Sequence, residues 1–380
     1  MKTLKTLMLA GLAGLALNSE ALAQTKLLIT GSTAYRGATH TAIRNIFDTT
    51  PTPVSYAYAG TSFTSAGKAI FVGKVAGNDV IIKTSWSGSV GGVQTVSQGL
   101  TVDFLTDATT VSPAGTTGAA TGGDLQVPDV AMSDTFQAAT PFKSPVLTFT
   151  TVGVVPFKWV ASKDAALSIP LLNNITPQLA QVLFQNGELK LNAFTGVPTD
   201  SAYKVYAIGR DPDSGTRLTA FAESGVGVDA TVLQYQPTAS GGAVSSQVPW
   251  PATTVNGIGF STGNAGYGSG GTLAGVMGNT SLAGIGGVYV TYLSTGDAGT
   301  AITAGAKEIA YNGVTYSATA LAEGQYTFWS YEHLMYKSSL SGVKLSTATA
   351  LANQLINTDA TVKLSTMHVS RLSDGGNVTP

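Results

Sequence analysis

The chain has no cysteine, only three histidines, and few charges for its 380 residues. Without cysteine no disulfide framework is available, so a packed core has to hold the protein together. The histidines, His40, His333 and His368, show no metal-ligand spacing, which leaves them scattered structural or surface roles. Charged residues make up 11% of the chain against about 25% in ordinary domains, and the net charge is -1 with no run of one sign. Nucleic acid and anionic membranes both call for clustered Lys and Arg, so neither is an expected partner. Disorder is disfavoured too, because apolar content is high and net charge is near zero.

What is present begins with a leader. Lys2 and Lys5 precede the apolar run LMLAGLAGLAL, and Ala21-Leu22-Ala23 forms an A-x-A cleavage site after Ala23. The run is shorter than the about 20 residues that span a bilayer, and no lipobox cysteine follows it. The expectation is a signal peptide over 1–23 and a soluble exported protein, in a Gram-negative periplasm or else in the medium or on the cell surface. The length suggests two domains.

Short apolar strands alternate with helical patterns, as in TKLLITGS followed by ATHTAIRNIF, DVIIKTSWSGS by GGVQTVSQG, and SAYKVYAIGRD by SGTRLTAFAESGV. That alternation argues for an α/β architecture. ITPQLAQVLFQNG predicts an amphipathic helix with Thr176 as N-cap and Pro177 at its first position. Residues 101–127, rich in Gly and Thr, read as a long surface loop. PVLTFTTVGVVPFKWVAS and YTFWSYEHLMY read as crossings between two lobes, and LSTATALANQLI as a last helix.

Three places share one design, in which a strand runs into a Gly/Ser/Thr turn and a helix begins: Gly31-Ser32-Thr33, Gly88-Ser89-Val90-Gly91 and Ser214-Gly215-Thr216. A helix N-terminus offers unpaired N–H donors and the positive end of the helix dipole, which suits an anion. Plain capping is the ordinary alternative at any one turn. Arg210, four residues before Ser214, is either a surface arginine paired with Asp211 or Asp213 or a guanidinium fork for a tetrahedral oxyanion. Asp134, in PDVAMSD, is either a turn carboxylate or a selective acceptor in that pocket. A carboxylate can accept only from a ligand that keeps a proton, as hydrogen phosphate does and sulfate does not, and unpaired buried acceptors discriminate steeply. Two enzymatic motifs occur by chance. GFSTG (259–263) lacks the strand and helix that a nucleophile elbow needs, and no strand leads into GYGSGG (266–271) as a dinucleotide site requires.

These residues resemble the phosphate-binding protein of the high-affinity phosphate ABC transporter family. ITGSTAYRGATHTAI looks like that family's first ligand loop, WSGSVGGVQ like its G-S-x-G-G-V segment, and PDVAMSD like its D-x-x-x-S-D segment. Arg210 with Ser214-Gly215-Thr216 matches R-x-x-x-S-G-T, and the matching pieces run in family order over most of the mature chain. The resemblance implies a type II periplasmic binding fold: two lobes, each a mixed sheet flanked by helices, joined by two hinge crossings and closing on the ligand. Lobe I would be residues 24–154 plus 328–380, and lobe II residues 155–327.

By the same resemblance Arg210, Ser214, Gly215 and Thr216 bind the anion from lobe II, and Ser89 and Asp134 from lobe I, with Ser32, Thr33, Ala34 and Tyr35 completing the cage. The implied ligand is phosphate or a related oxyanion and the implied partner an ABC permease; neither cofactor, metal nor catalytic residue is expected, and the chain would act as a monomer. Two departures stand out. Tyr35 and Arg36 replace the family's Thr and aromatic residue, and the 101–127 insertion would cover the cleft, dock a partner or only decorate the surface. The rival reading is a secreted structural or surface-interaction protein that kept this fold and lost the ligand.

Overall fold

The computed structural model describes residues 24–119, 122–163, 172–240, 243–255, 257–279 and 286–380; the leader expected over 1–23 lies outside them. Among the described residues no helix is long and apolar enough to cross a membrane. The architecture is mixed α/β, and one strand belongs to both of its halves. Thr148–Ala161 pairs antiparallel with Trp329–Tyr336 through Pro156, and then with Gly287–Ser294 from Phe157 onward. Proline has no N–H to give to a ladder, and Pro156 stands where the ladder changes partner.

The first half continues from Trp329–Tyr336 through Val130–Ser133, Thr25–Gly31, Asn78–Ser85 and Lys68–Val75 to the edge strand Ser55–Tyr58. Thr25–Gly31 runs parallel to both of its neighbours, which requires helical crossovers. Successive side chains of a strand face opposite ways, and here both faces are covered. Val130 and Met132 join Leu27 and Ile29 beneath the helices Arg36–Ile46 and Gly342–Gln354, while Ala131 packs with Val93 and Val96 of the helix Ser89–Gln98.

The second half repeats the scheme around Glu188–Lys190, Lys204–Ala207, Gly287–Ser294 and Lys307–Tyr311. Val205, Ala207 and Tyr292 face the helices Pro177–Asn186 and Gly215–Ser224. Tyr206, Tyr289 and Leu293 face Gly270–Asn279 and Thr295–Thr303. Thr176 caps its helix as its sequence predicts, accepting from Leu179 N.

The stretch 101–127 departs from the loop expected of it. Its ends form the hairpin Val102–Leu105 with Gly123–Gln126, because Phe104 and Leu105 are buried beneath it. Lys83, fully buried, holds it through Asp107 at 2.6 Å and Asp124 at 2.5 Å. The intervening chain bonds to the edge strand, with Tyr56 N–H donating to Ser112 O and Tyr58 N–H to Thr116 O. An open sheet edge invites pairing with other chains; the insertion covers this one.

The C-terminal residues form a strap across both halves, which the sequence does not announce. Arg371 is buried and donates to Thr327 O, Trp329 O and Glu223 Oε2, and its guanidinium lies 4.1 Å over the Trp329 ring. Asp374 accepts from Phe136 N–H in the first half, while Gly375 lies against the Ala222 backbone in the second. Removing one member of a buried ion pair strands the other. Arg371→Ala is expected to lower the unfolding free energy by about 3 kcal/mol in urea titration. A loss below about 1 kcal/mol, the range of surface pairs, would show that the strap is ornamental.

Candidate functional site

The three turns meet where the halves face each other. Gly31 ends its strand at φ +113°, and a β-carbon there would sit 2.0 Å from Met132 O, so only glycine fits. Ser32 follows, its amide bonded to Met132 O and its hydroxyl buried without a hydrogen-bond partner. The next helix starts at Arg36, so Ser32 to Tyr35 form the loop ahead of it rather than its first turn. Gly88, at φ +107°, opens the helix that Ser89 begins. Ser214 opens the third helix by accepting from Arg217 N–H.

Asp134 lies at the junction, fully buried. Ser89 Oγ donates to its Oδ1 from the first half, and Thr216 Oγ1 to its Oδ2 at 3.2 Å from the second. Glycine at 215 is obligatory, because a β-carbon would lie 1.7 Å from Asp134 Oδ1. Burial pushes the Asp134 carboxyl upward, opposed by the Ser89 bond, Arg210 and Thr216. The helix start at Ser89 also meets the opposite half directly: Val90 and Gly91 donate to Asp213 O at 2.9 and 3.3 Å.

Arg210 is 2% exposed. Its Nε donates to Tyr267 O at 2.9 Å, and its Nη2 to Gly268 O at 3.0 Å and to Thr33 Oγ1 at 3.3 Å. Among the described residues no carboxylate lies within ion-pair distance of it, so neither Asp211 nor Asp213 is the salt-bridge partner that a surface arginine would have. Its own backbone is fixed in turn, with Arg217 Nη1 and Gln234 Nε2 donating to Arg210 O. Of the residues expected at the site, Ser32, Thr33, Ser89, Asp134, Arg210, Gly215 and Thr216 gather in this buried junction. Ser214 serves as the N-cap. Ala34 is half-buried beside Arg36, and Tyr35 turns its buried hydroxyl toward Gly153 of the shared strand, away from Arg210.

Three contributors escaped the sequence. The Gly-rich stretch 266–271 supplies the carbonyls that aim Arg210, and a β-carbon at Gly266 would crowd the Arg210 carbonyl at 2.5 Å. Backbone acceptors leave no side-chain signature; the run of glycines is the one available sign. Glu332 is buried on the central strand with neither carboxylate oxygen hydrogen-bonded, and burial together with Asp134 drives its proton affinity well up. Its charge alone reads as a sign of exposure. Asp374 turns its carboxyl inward from the strap, where burial and the Asp134 charge push it up to about 7.

The remaining motifs fall elsewhere. Against expectation Ser261 of GFSTG does follow a short strand, Ile258–Phe260, but a turn and no helix comes after it, and the serine is exposed. Trp86 Nε1 donates to His40 Nε2, so the Nδ1 of that ring carries the proton that it gives to Phe63 O. His40 and His333 are buried and held neutral, at about 4 and about 3, by desolvation. His368 meets Glu323 at the surface.

No family model matches the chain, and no curated protein matches it in sequence. Its fold is that of a Clostridium perfringens protein described as a phosphate ABC transporter substrate-binding protein, solved with bound phosphate. The two are 11% identical with a TM-score of 0.51, over 90% of this chain and 100% of that one. A Vibrio cholerae ABC-type phosphate transport receptor aligns at 12% identity and TM-score 0.48, over 88% and 98% of the two chains. The regulatory domain of OxyR2 from Vibrio vulnificus aligns at 11% and 0.39, over 87% and 94%. The fold is that of type II periplasmic binding proteins.

Asp374 sets a pH dependence. The unfolded chain loses this proton near pH 4, whereas the folded chain keeps it to about pH 7. Between those values the folded state binds more protons, so stability falls as pH rises. Urea midpoints are expected to drop from pH 4 to 7, and to drop less in Asp374→Asn. Equal slopes in the two proteins would remove Asp374 as the cause.

Proposed function

We propose that the chain is an exported solute-binding protein that captures phosphate between its two lobes and delivers it to an ABC permease. The observation that carries this reading is Arg210, a buried guanidinium with no carboxylate within ion-pair distance among the described residues, at the junction where the turns at Ser32, Ser89 and Gly215 meet. A buried cation calls for an anion, and a planar fork suits a tetrahedral oxyanion. The shared fold with a protein that carries bound phosphate agrees with it. In this reading the lobes are residues 24–154 with 328–380 and 155–327, the ligand residues are Ser32, Thr33, Ala34, Tyr35, Ser89, Asp134, Arg210, Ser214, Gly215 and Thr216, and the protein is a periplasmic monomer without catalytic activity.

Asp134 provides selectivity. Each of its oxygens already accepts one hydroxyl proton, yet each carboxylate oxygen has a further lone pair for a proton on hydrogen phosphate. One observation favours the alternative of a structural protein with a lost ligand: Val90, Gly91 and Thr216 satisfy acceptors of the protein itself across the cleft.

Isothermal titration of the chain lacking residues 1–23, refolded free of carried-over ligand, separates the two. Tight phosphate binding without a sulfate signal is expected. Arg210→Ala should weaken phosphate at least about 30-fold, the loss of one charged hydrogen bond or more. Asp134→Asn should admit sulfate. Silence toward both anions in the parent would favour the structural alternative, and parent-like binding by both variants would refute the site.

A further inference from the structure

Arg36 does not belong to the anion cage, and its side chain has no hydrogen bond or ion pair among the described residues, although it is half-buried. It begins the helix Arg36–Ile46 and lines a cavity of about 300 Å³ between the halves. Burial lowers the proton affinity of its guanidinium, Asp297 opposes that, and Arg210 adds to it, so both charges are its near neighbours. Thr33, which accepts from Arg210 Nη2, is also a wall of this cavity. On the other side, a β-carbon at Gly270 would lie 2.0 Å from Asp297 Oδ2 and 3.5 Å from Arg210 Nη1, and one at Gly271 would lie 3.6 Å from Arg36 Nη2. Two glycines therefore keep the space between Arg210, Arg36 and Asp297 clear of side chains.

We infer that this cavity is a subsite for the organic substituent of a phosphate monoester, the phosphoryl group lying at Arg210. The inference rests on the oxyanion reading above and names its ligand class. Inorganic phosphate has nothing to put beside Arg36, whereas an ester does. The walls decide the substituent's chemistry. Arg36 offers only donors and Asp297 only acceptors, so the group that satisfies both is a hydroxyl, which donates and accepts. Thr64, Ser65 and Thr300 add further hydroxyls to the wall. A volume of about 300 Å³ stands at the small end of ligand cavities, which suits a short polyol rather than a nucleoside. The ligand class is a small polyol phosphate.

The probes are inorganic phosphate and glycerol 3-phosphate, each titrated calorimetrically into the parent chain and into Arg36→Ala, with circular dichroism checking that the variant is folded. The readout is the ratio of the two affinities, which cancels any general weakening of anion binding when a positive charge is removed. In the parent, glycerol 3-phosphate is expected to bind at least about tenfold tighter than phosphate, the worth of one good polar contact. In Arg36→Ala the ratio should fall to within about threefold of unity. Phosphate binding as tightly as the ester in the parent would overturn the subsite and leave the oxyanion reading intact. An ester preference unchanged in the variant would overturn the role of Arg36. Silence toward both ligands in the parent would overturn the oxyanion reading, and the subsite with it.

Discussion

The interior of this protein is organised around one positive charge. Arg210 stands almost without solvent in a chain poor in charge, and among the described residues no carboxylate comes within ion-pair distance of it. Backbone carbonyls at Tyr267 and Gly268 hold it instead. Carbonyl dipoles orient a guanidinium without cancelling its field, whereas a carboxylate would do both and leave little for a ligand. The glycines from 266 to 271, the Arg217 and Gln234 bonds to the Arg210 carbonyl, and the hydroxyl of Thr33 are all arranged around that requirement.

The acids show the complementary behaviour. Asp134 bears on both Glu332 and Asp374 behind it, and burial favours the neutral form of each of the three. Asp134 has the most to oppose this, with two hydroxyl donors and Arg210 nearby, while Glu332 has only the Ser32 hydroxyl close to it. Like charges that share a buried site cannot all ionise cheaply.

Much of the architecture was legible because it rests on period and punctuation. Thr176-Pro177 marks a helix start, PVLTFTTVGVVPFKWVAS a long strand, and the spacing from Arg210 to Thr216 a strand, a turn and a helix. Each is a local signal with a local cause. What stayed hidden depends on partners distant in sequence. Lys83 pairs with Asp107 and Asp124 and turns an apparent loop into a docked hairpin. Arg371 reaches Glu223 across 148 positions, and nothing in RLSDGG announces a strap. Glu332 looks like a surface residue by its charge, because the sequence does not show that its strand is covered on both sides. At the site, Ser32, Thr33, Ser89, Asp134, Arg210 and Thr216 lie at one junction while Tyr35 turns toward Gly153, and the carbonyls that aim Arg210 carry no residue signature at all.

The strand Trp329–Tyr336 lies between Val130–Ser133 and Thr148–Ala161 in the first half's sheet. Two stretches that are neighbours in the chain are thus kept apart by a strand made about two hundred residues later. Loop-closure entropy must be overcome before such a pairing is rewarded. The sheet of the first half therefore cannot be completed as it emerges: a gap between Val130–Ser133 and Thr148–Ala161 stays open until Trp329–Tyr336 has been made, and the strap that reaches Asp374 comes later still. A truncated product would lack both that strand and its fastening.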